Sequence, residues 1–272
     1  MSQLIRTAKS SSDWTMYDLD AYNISVVDQD ATTFFECSEL PLPAIPPEVL
    51  TAQHAYQAFD LTANELLCHM EHATLVVPEV KSTVDDFVVL LLRAIGHYTT
   101  HPKFFRTRKD IDYVICGEYK VAKPDVSIIQ GSEILLVFQE NKRHIDLMDP
   151  VPQLIAQAIA AFAANDYFFR SALGYRYSPL PSKVMPGFIM MGTSPVFYKV
   201  LVTRELATAV MCGLYPATPT IVYAHKPTFP NPREQGMMPL DNRRVILSCF
   251  EAFKIFVKSC DVFSSIKLHR EP

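Results

Sequence analysis

The sequence predicts an α/β chain of the α+β kind: a central mixed β-sheet flanked by helices, with further elements added at both ends. Three stretches carry that expectation. Ser82 to Tyr98 repeats apolar residues at helical spacing, and Lys123 to Lys142 holds two short aliphatic runs around a polar turn. Gln153 to Arg170 is an alanine-rich helix with no internal Gly or Pro, and a strand follows at Gly187 to Met191.

A chain of 272 residues has ample material for a buried core, as one large domain or two small ones. Hydrophobic residues at 49% against 20% charged mark it as globular. The net charge of −4 excludes a protein held on nucleic acid by bulk charge, so any anionic partner must meet a local basic patch. Six scattered cysteines without Cys-x-x-Cys spacing point to reduced thiols and away from a disulfide framework or a zinc site. The first residues lack an apolar run of signal-peptide length, and no run of about 18 apolar residues occurs. The expectation is an intracellular protein, cytoplasmic or nuclear, without a membrane partner.

Residues 1–80 read as an N-terminal arm and helical flank. Tyr22 to Val27 and Thr32 to Phe35 have strand composition, Pro41, Pro43, Pro46 and Pro47 stiffen a linker, and Leu50 to Met70 is helical with a possible break at Leu61-Thr62. A main domain is expected over 81–258, and 259–272 is a tail. In Ser82 to Tyr98, Val84, Phe87, Val88, Leu91, Leu92 and Ile95 follow an i, i+3, i+4, i+7 pattern. Asp85 and Asp86 sit in its first turn, where Ser82-x-x-Asp85 and Thr83-x-x-Asp86 both read as capping boxes. Next comes a basic, aromatic stretch with Lys103, Arg106, Arg108 and Lys109 around Phe104 and Phe105, the best phosphate-contacting patch in the chain, which Lys123 and Arg143 extend. Ile111 to Cys116 and Tyr119 to Ala122 then read as strands.

Val126 to Ile129 and Ile134 to Phe138 form a hairpin about Gln130-Gly131-Ser132-Glu133. A turn at Ser132-Glu133 places Asp125 opposite Glu140, and a turn at Gly131-Ser132 makes Glu140 a diagonal neighbour on the same face. Only a three-residue loop or a bulge would part them. Lys142, two residues past Glu140, returns to the same side. Two carboxylates about 5 Å apart repel unless protonated, paired or separated by a cation, and a hard divalent ion prefers such oxygen ligands.

In Pro124-Asp125, the hairpin and Glu140-Asn141-Lys142, the chain resembles the PD-(D/E)xK, restriction-endonuclease-like nuclease superfamily, and is similar to uncharacterised fungal members of it. The likeness covers about Ser82 to Gly192. It implies a restriction-endonuclease-like core in which Asp125 and Glu140 bind magnesium or manganese and Lys142 positions the water that attacks a phosphodiester. An acid on the first core helix, Asp86, adds a metal ligand, and Gln153 or Gln157 of the later helix points back at the metal site. The implied partner is nucleic acid, DNA in preference to RNA, and cutting of two strands would favour a homodimer. The alternative is a catalytically inactive nuclease-like scaffold that binds nucleic acid or protein.

Beyond about residue 193, Phe197 to Val202, a helix from Thr203 to Cys212, a strand from Thr220 to Ala224 and a helix from Asp241 to Lys258 read as additions to the same domain. Arg243 and Arg244 are read as surface residues of that last helix's first turn.

Overall fold

The computed structural model describes residues 4–74, 83–96, 98–140, 149–174 and 178–258. Helix α1 (Met16–Ala21) leads into strand β1 (Ile24–Asp28), and helix α2 (Ala31–Phe35) follows. The strand expected at Thr32 to Phe35 is therefore helical. Asp30 is the reason: its carboxylate accepts from Thr33 N at 2.9 Å and Thr33 Oγ1 at 2.8 Å, an N-cap that outweighs the β-branched pair. Helices α3 (Pro47–Thr51) and α4 (Leu61–Thr74) divide the expected long helix at Leu61, where Asp60 caps α4 by accepting from Ala63 N.

Helix α5 (Thr83–Ala94) precedes strand β2 (Lys103–Thr107), the hairpin β3 (Ile111–Ile115) and β4 (Glu118–Ala122), and strands β5 (Val126–Gln130) and β6 (Glu133–Glu140). Helix α6 (Pro150–Leu173), strands β7 (Ser182–Met191) and β8 (Ser194–Thr203), helix α7 (Arg204–Cys212), strand β9 (Thr220–His225) and helix α8 (Leu240–Phe253) complete the chain. The seven-stranded sheet has the order β1-β9-β8-β7-β6-β5-β2, with β1/β9 and β6/β7 parallel and the other pairs antiparallel. The basic, aromatic stretch is thus an edge strand, and β3/β4 forms a separate two-stranded sheet.

Each face of the large sheet carries its own core. On one face α4, α5 and α8 cover Val126, Ile128, Leu136 and Phe138. On the other, α1, α6, α7 and β3 cover Ile134, Val137, Ile189, Val200 and Val222. Central β6 is buried on both faces, which is why it reads as a continuous apolar run. Residues 4–74 contribute to both cores through Trp14, Tyr22, Phe34, Phe35 and Leu67, so the expected flank is built into the same body; the tail lies outside the described residues.

The β5–β6 hairpin turns at Gly131-Ser132, with Gly131 at φ +62°, a backbone conformation that suits glycine. Gln130 pairs with Glu133 and Ile129 with Ile134, but Ile128 pairs with Leu136, so Leu135 is an extra residue. Its packing records the bulge, because Leu135 and Leu136 both enter the α4/α5/α8 core where strict alternation would part them. Asn165 of α6 holds this place: its Oδ1 accepts from Ile134 N at 2.7 Å, and its Nδ2 donates to Ile134 O at 2.8 Å.

Arg243 corrects another expectation. It is fully buried, and it donates to the carbonyls of Met237 (2.9 Å), Val49 (2.9 Å) and Ala52 (2.7 Å), tying α8 to α3. Burial brings its pKa down to about 10. The carbonyls exposed by the end of α3 supply the partners that a buried guanidinium requires.

Candidate active site

Past the bulge, the register Val126 with Phe138 and Ser127 with Val137 continues to set Asp125 level with Gln139. The bulge parts the two acids, and this corrects the expected register. Asp125 shares the α6 face with Ser127, Val137 and Gln139, whereas alternation carries Glu140 to the face of Phe138. The acids nonetheless meet through the main chain. Asp125 Oδ2 accepts from Glu140 N at 2.8 Å and from Gln139 Nε2 at 2.7 Å, and Asp125 N donates to Phe138 O at 3.1 Å.

Behind Gln139 stands Gln157, fully buried on α6. Its Nε2 donates to Gln139 Oε1 at 2.7 Å and to Lys123 O at 3.3 Å. A carboxylate only accepts, so Gln139 must present its NH2 group to Asp125 and its oxygen to Gln157. That orientation sets Gln157 in turn and leaves Gln157 Oε1 buried without a hydrogen bond. Gln153, one turn earlier, is half-buried and takes no part in this chain of amides. Gln139 was missed in the sequence; its signal was a lone amide inside the apolar run Leu135 to Phe138 and Glu140.

On α5 the structure distinguishes the two acids. Asp85 is 7% exposed and Asp86 is exposed, so Asp85, and not the nominated Asp86, is turned to the interior. Lys254 Nζ donates to Ile95 O, Tyr98 OH to Phe250 O, and Lys103 Nζ to Val257 O, which fixes the C-terminal end of α5 beside Lys103. Lys103 pairs with Gln130 at the end of the strands far from Asp125.

The basic residues fall into two groups. Lys103 lies four residues along β2 from Thr107, about 14 Å from the motif end; burial lowers its pKa, and it does not join the site. Arg106 and Arg108 are exposed near the motif, and Arg108 N donates to Asp125 O at 2.9 Å. Lys109 is half-buried, and Lys123 pairs with Asp110 at 3.1 Å. Lys142 and Arg143 lie outside the described residues.

No protein-family model matches this chain, and no curated protein matches it. Among the described residues no three His, Cys, Asp or Glu side chains already converge as a metal cluster, and no helix is long and apolar enough to cross a membrane. Asp125 and Glu140 supply carboxylate oxygens, the ligands a hard divalent cation takes, from adjacent strands at the same end of the sheet but on opposite faces.

Proposed function

We propose that the protein is a metal-dependent nuclease that hydrolyses phosphodiester bonds in nucleic acid. One observation carries the reading: the acid of Pro124-Asp125 is held by the main-chain N–H of Glu140, the first residue of Glu140-Asn141-Lys142, at 2.8 Å. The element order supports it, since α5, β2, β5, β6, α6 and β7 run helix, three strands, helix, strand, with the β3/β4 hairpin as an insertion. In this reading Asp125 and Glu140 hold magnesium or manganese, which when bound polarises the phosphate and lowers the pKa of a water. Gln139 and the Glu140 N–H keep Asp125 aimed, Gln157 keeps Gln139 in place, and Lys142 orients the attacking water. Arg106 and Arg108 meet the phosphate backbone.

A second reading draws on the same carboxylate. Asp125 Oδ2 already accepts two protein N–H groups, as expected of a scaffold that keeps the hairpin for structure and binds without turnover. Both readings are tested by a gel assay of wild type, Asp125→Ala and Lys142→Ala on circular DNA, linear DNA and RNA with manganese, magnesium or EDTA. The nuclease reading expects cleavage that EDTA abolishes and either substitution reduces about 1,000-fold, the several kcal/mol of transition-state stabilisation such groups supply. Full cleavage by Asp125→Ala would sink the assignment. Absence of manganese-dependent thermal stabilisation, with no cleavage, would favour the scaffold.

A further inference from the structure

We infer that the cavity between α1, the first turn of α6 and the ends of β1, β7, β8 and β9 is a subsite for one unpaired nucleotide of the strand being cut. This rests on the nuclease reading and adds the substrate class: single-stranded nucleic acid, or a duplex with a frayed or flipped-out nucleotide.

Its place in the sheet comes first. In the parallel β6/β7 pair, Gln139 stands beside Ile189 and Glu140 beside Met190. Ile189 and Met191 line the cavity, so its near wall is one strand spacing, about 4.8 Å, from the strand of the motif. The pairings of β8, β9 and β1 bring Ser194, Lys226 and Asp28 to the same end of the sheet. Ligands of such sheets bind at strand ends.

The lining then selects the ligand. The cavity holds about 470 Å³, within the range of small-molecule sites and too small for stacked base pairs. Met16, Val26, Ile189, Met191 and Val196 give it apolar surface with two thioethers, which suits the face of a base. Arg233 provides the charge. Its guanidinium lies 5.2 Å from the Phe229 ring centroid and donates to Pro195 O at 2.6 Å and Pro227 O at 3.3 Å. Those carbonyls are neutral, and no carboxylate forms an ion pair with Arg233 among the described residues. Arginine has five N–H donors; two are used here, which leaves three.

A half-buried, pre-oriented guanidinium without an anion is matched by phosphate. The other charges at the cavity are committed: Lys226 pairs with Asp28 at 2.9 Å, and Asp149 caps α6 by accepting from Val151 N at 3.1 Å. One phosphate and one base satisfy the site. A base in a Watson–Crick pair cannot enter it without leaving the stack.

The test measures binding in EDTA, so that it does not depend on cleavage. Fluorescence anisotropy would compare a labelled single-stranded DNA 12-mer with its duplex for wild type, Arg233→Gln and Val196→Trp, with dAMP as competitor. Because Arg233 also braces two carbonyls, Val196→Trp fills the cavity while leaving the guanidinium in place. The expected result is tighter binding of the single strand than of the duplex, competed by dAMP and weakened about tenfold or more by each substitution. Unchanged single-strand binding in both variants, or none in wild type, overturns the inference. If wild type cuts DNA and both variants bind like wild type, only the subsite falls. If the variants lose binding and wild type cuts nothing, the subsite stands and the nuclease reading falls.

Discussion

Gln157 donates its side-chain amide to Gln139 Oε1 at 2.7 Å, and the carboxylate of Asp125 at the far side of Gln139 fixes the direction of that bond. A residue in the middle of α6 thereby sets the posture of an acid at the start of β5. Such partners behind a ligand commonly change metal affinity or activity about 10- to 100-fold. Gln157→Leu should raise the manganese concentration needed for half-maximal thermal stabilisation by that factor, whereas Gln153→Ala should leave it unchanged. Equal effects of the two substitutions would show that the amide chain does not position Asp125.

Asn165 is expected to hold the bulge that sets the register. Asn165→Ala leaves the buried N–H and C=O of Ile134 without their side-chain partner, at a cost of about 1–3 kcal/mol for each unsatisfied group. Urea denaturation should show a loss of about 2–4 kcal/mol with an unchanged m-value. A loss below about 0.5 kcal/mol, the scale of an ordinary surface substitution, would show that the bulge is held by the sheet alone.

Arg243→Ala removes the donor shared by the carbonyls of Val49, Ala52 and Met237. The expected destabilisation is about 3–5 kcal/mol, among the largest that single substitutions produce. Arg244→Ala, in an exposed i, i+3 pair with Asp241, should stay within about 0.5 kcal/mol. Thermal denaturation of the two variants side by side makes the comparison.

Alkaline pH should weaken the fold. Burial pushes the Cys249 thiol up from 9.0 to about 12, and burial raises the Tyr98 phenol as well. For a group whose pKa is raised on folding, the native state holds its proton longer, so its stabilisation is complete below the unfolded pKa and is lost as pH rises through the folded one. Stability should therefore decline between pH 9.0 and about 12, and Cys249→Ala should flatten that decline. A denaturant midpoint constant across this window would contradict the argument.

How much was legible differs from one residue to the next. The helix at Ser82 to Tyr98, the hairpin about Gly131 and the alanine-rich helix of Gln153 and Gln157 were readable because periodicity and turn chemistry are local properties. Membership of the large sheet was not. Strands β2 and β3 both have strand composition, but only the pairing of Lys103–Thr107 with β5 decides which of them joins it.

The sequence by itself determined the mixed α/β class, the apolar core strand β6, the presence of Asp125 and Glu140 near the ends of their strands, and that of Gln157 on the alanine-rich helix. The tertiary structure decided which of them meet. A single extra residue at Leu135, beside Ile134 that Asn165 binds from thirty-one positions away, turns Asp125 to Gln139 and carries Glu140 to the other face. The fold also buried Asp85, left Asp86 exposed and buried Arg243 under α3. Those outcomes depend on long-range hydrogen bonds and on which face is covered, and neither is encoded in the spacing of residues along one element.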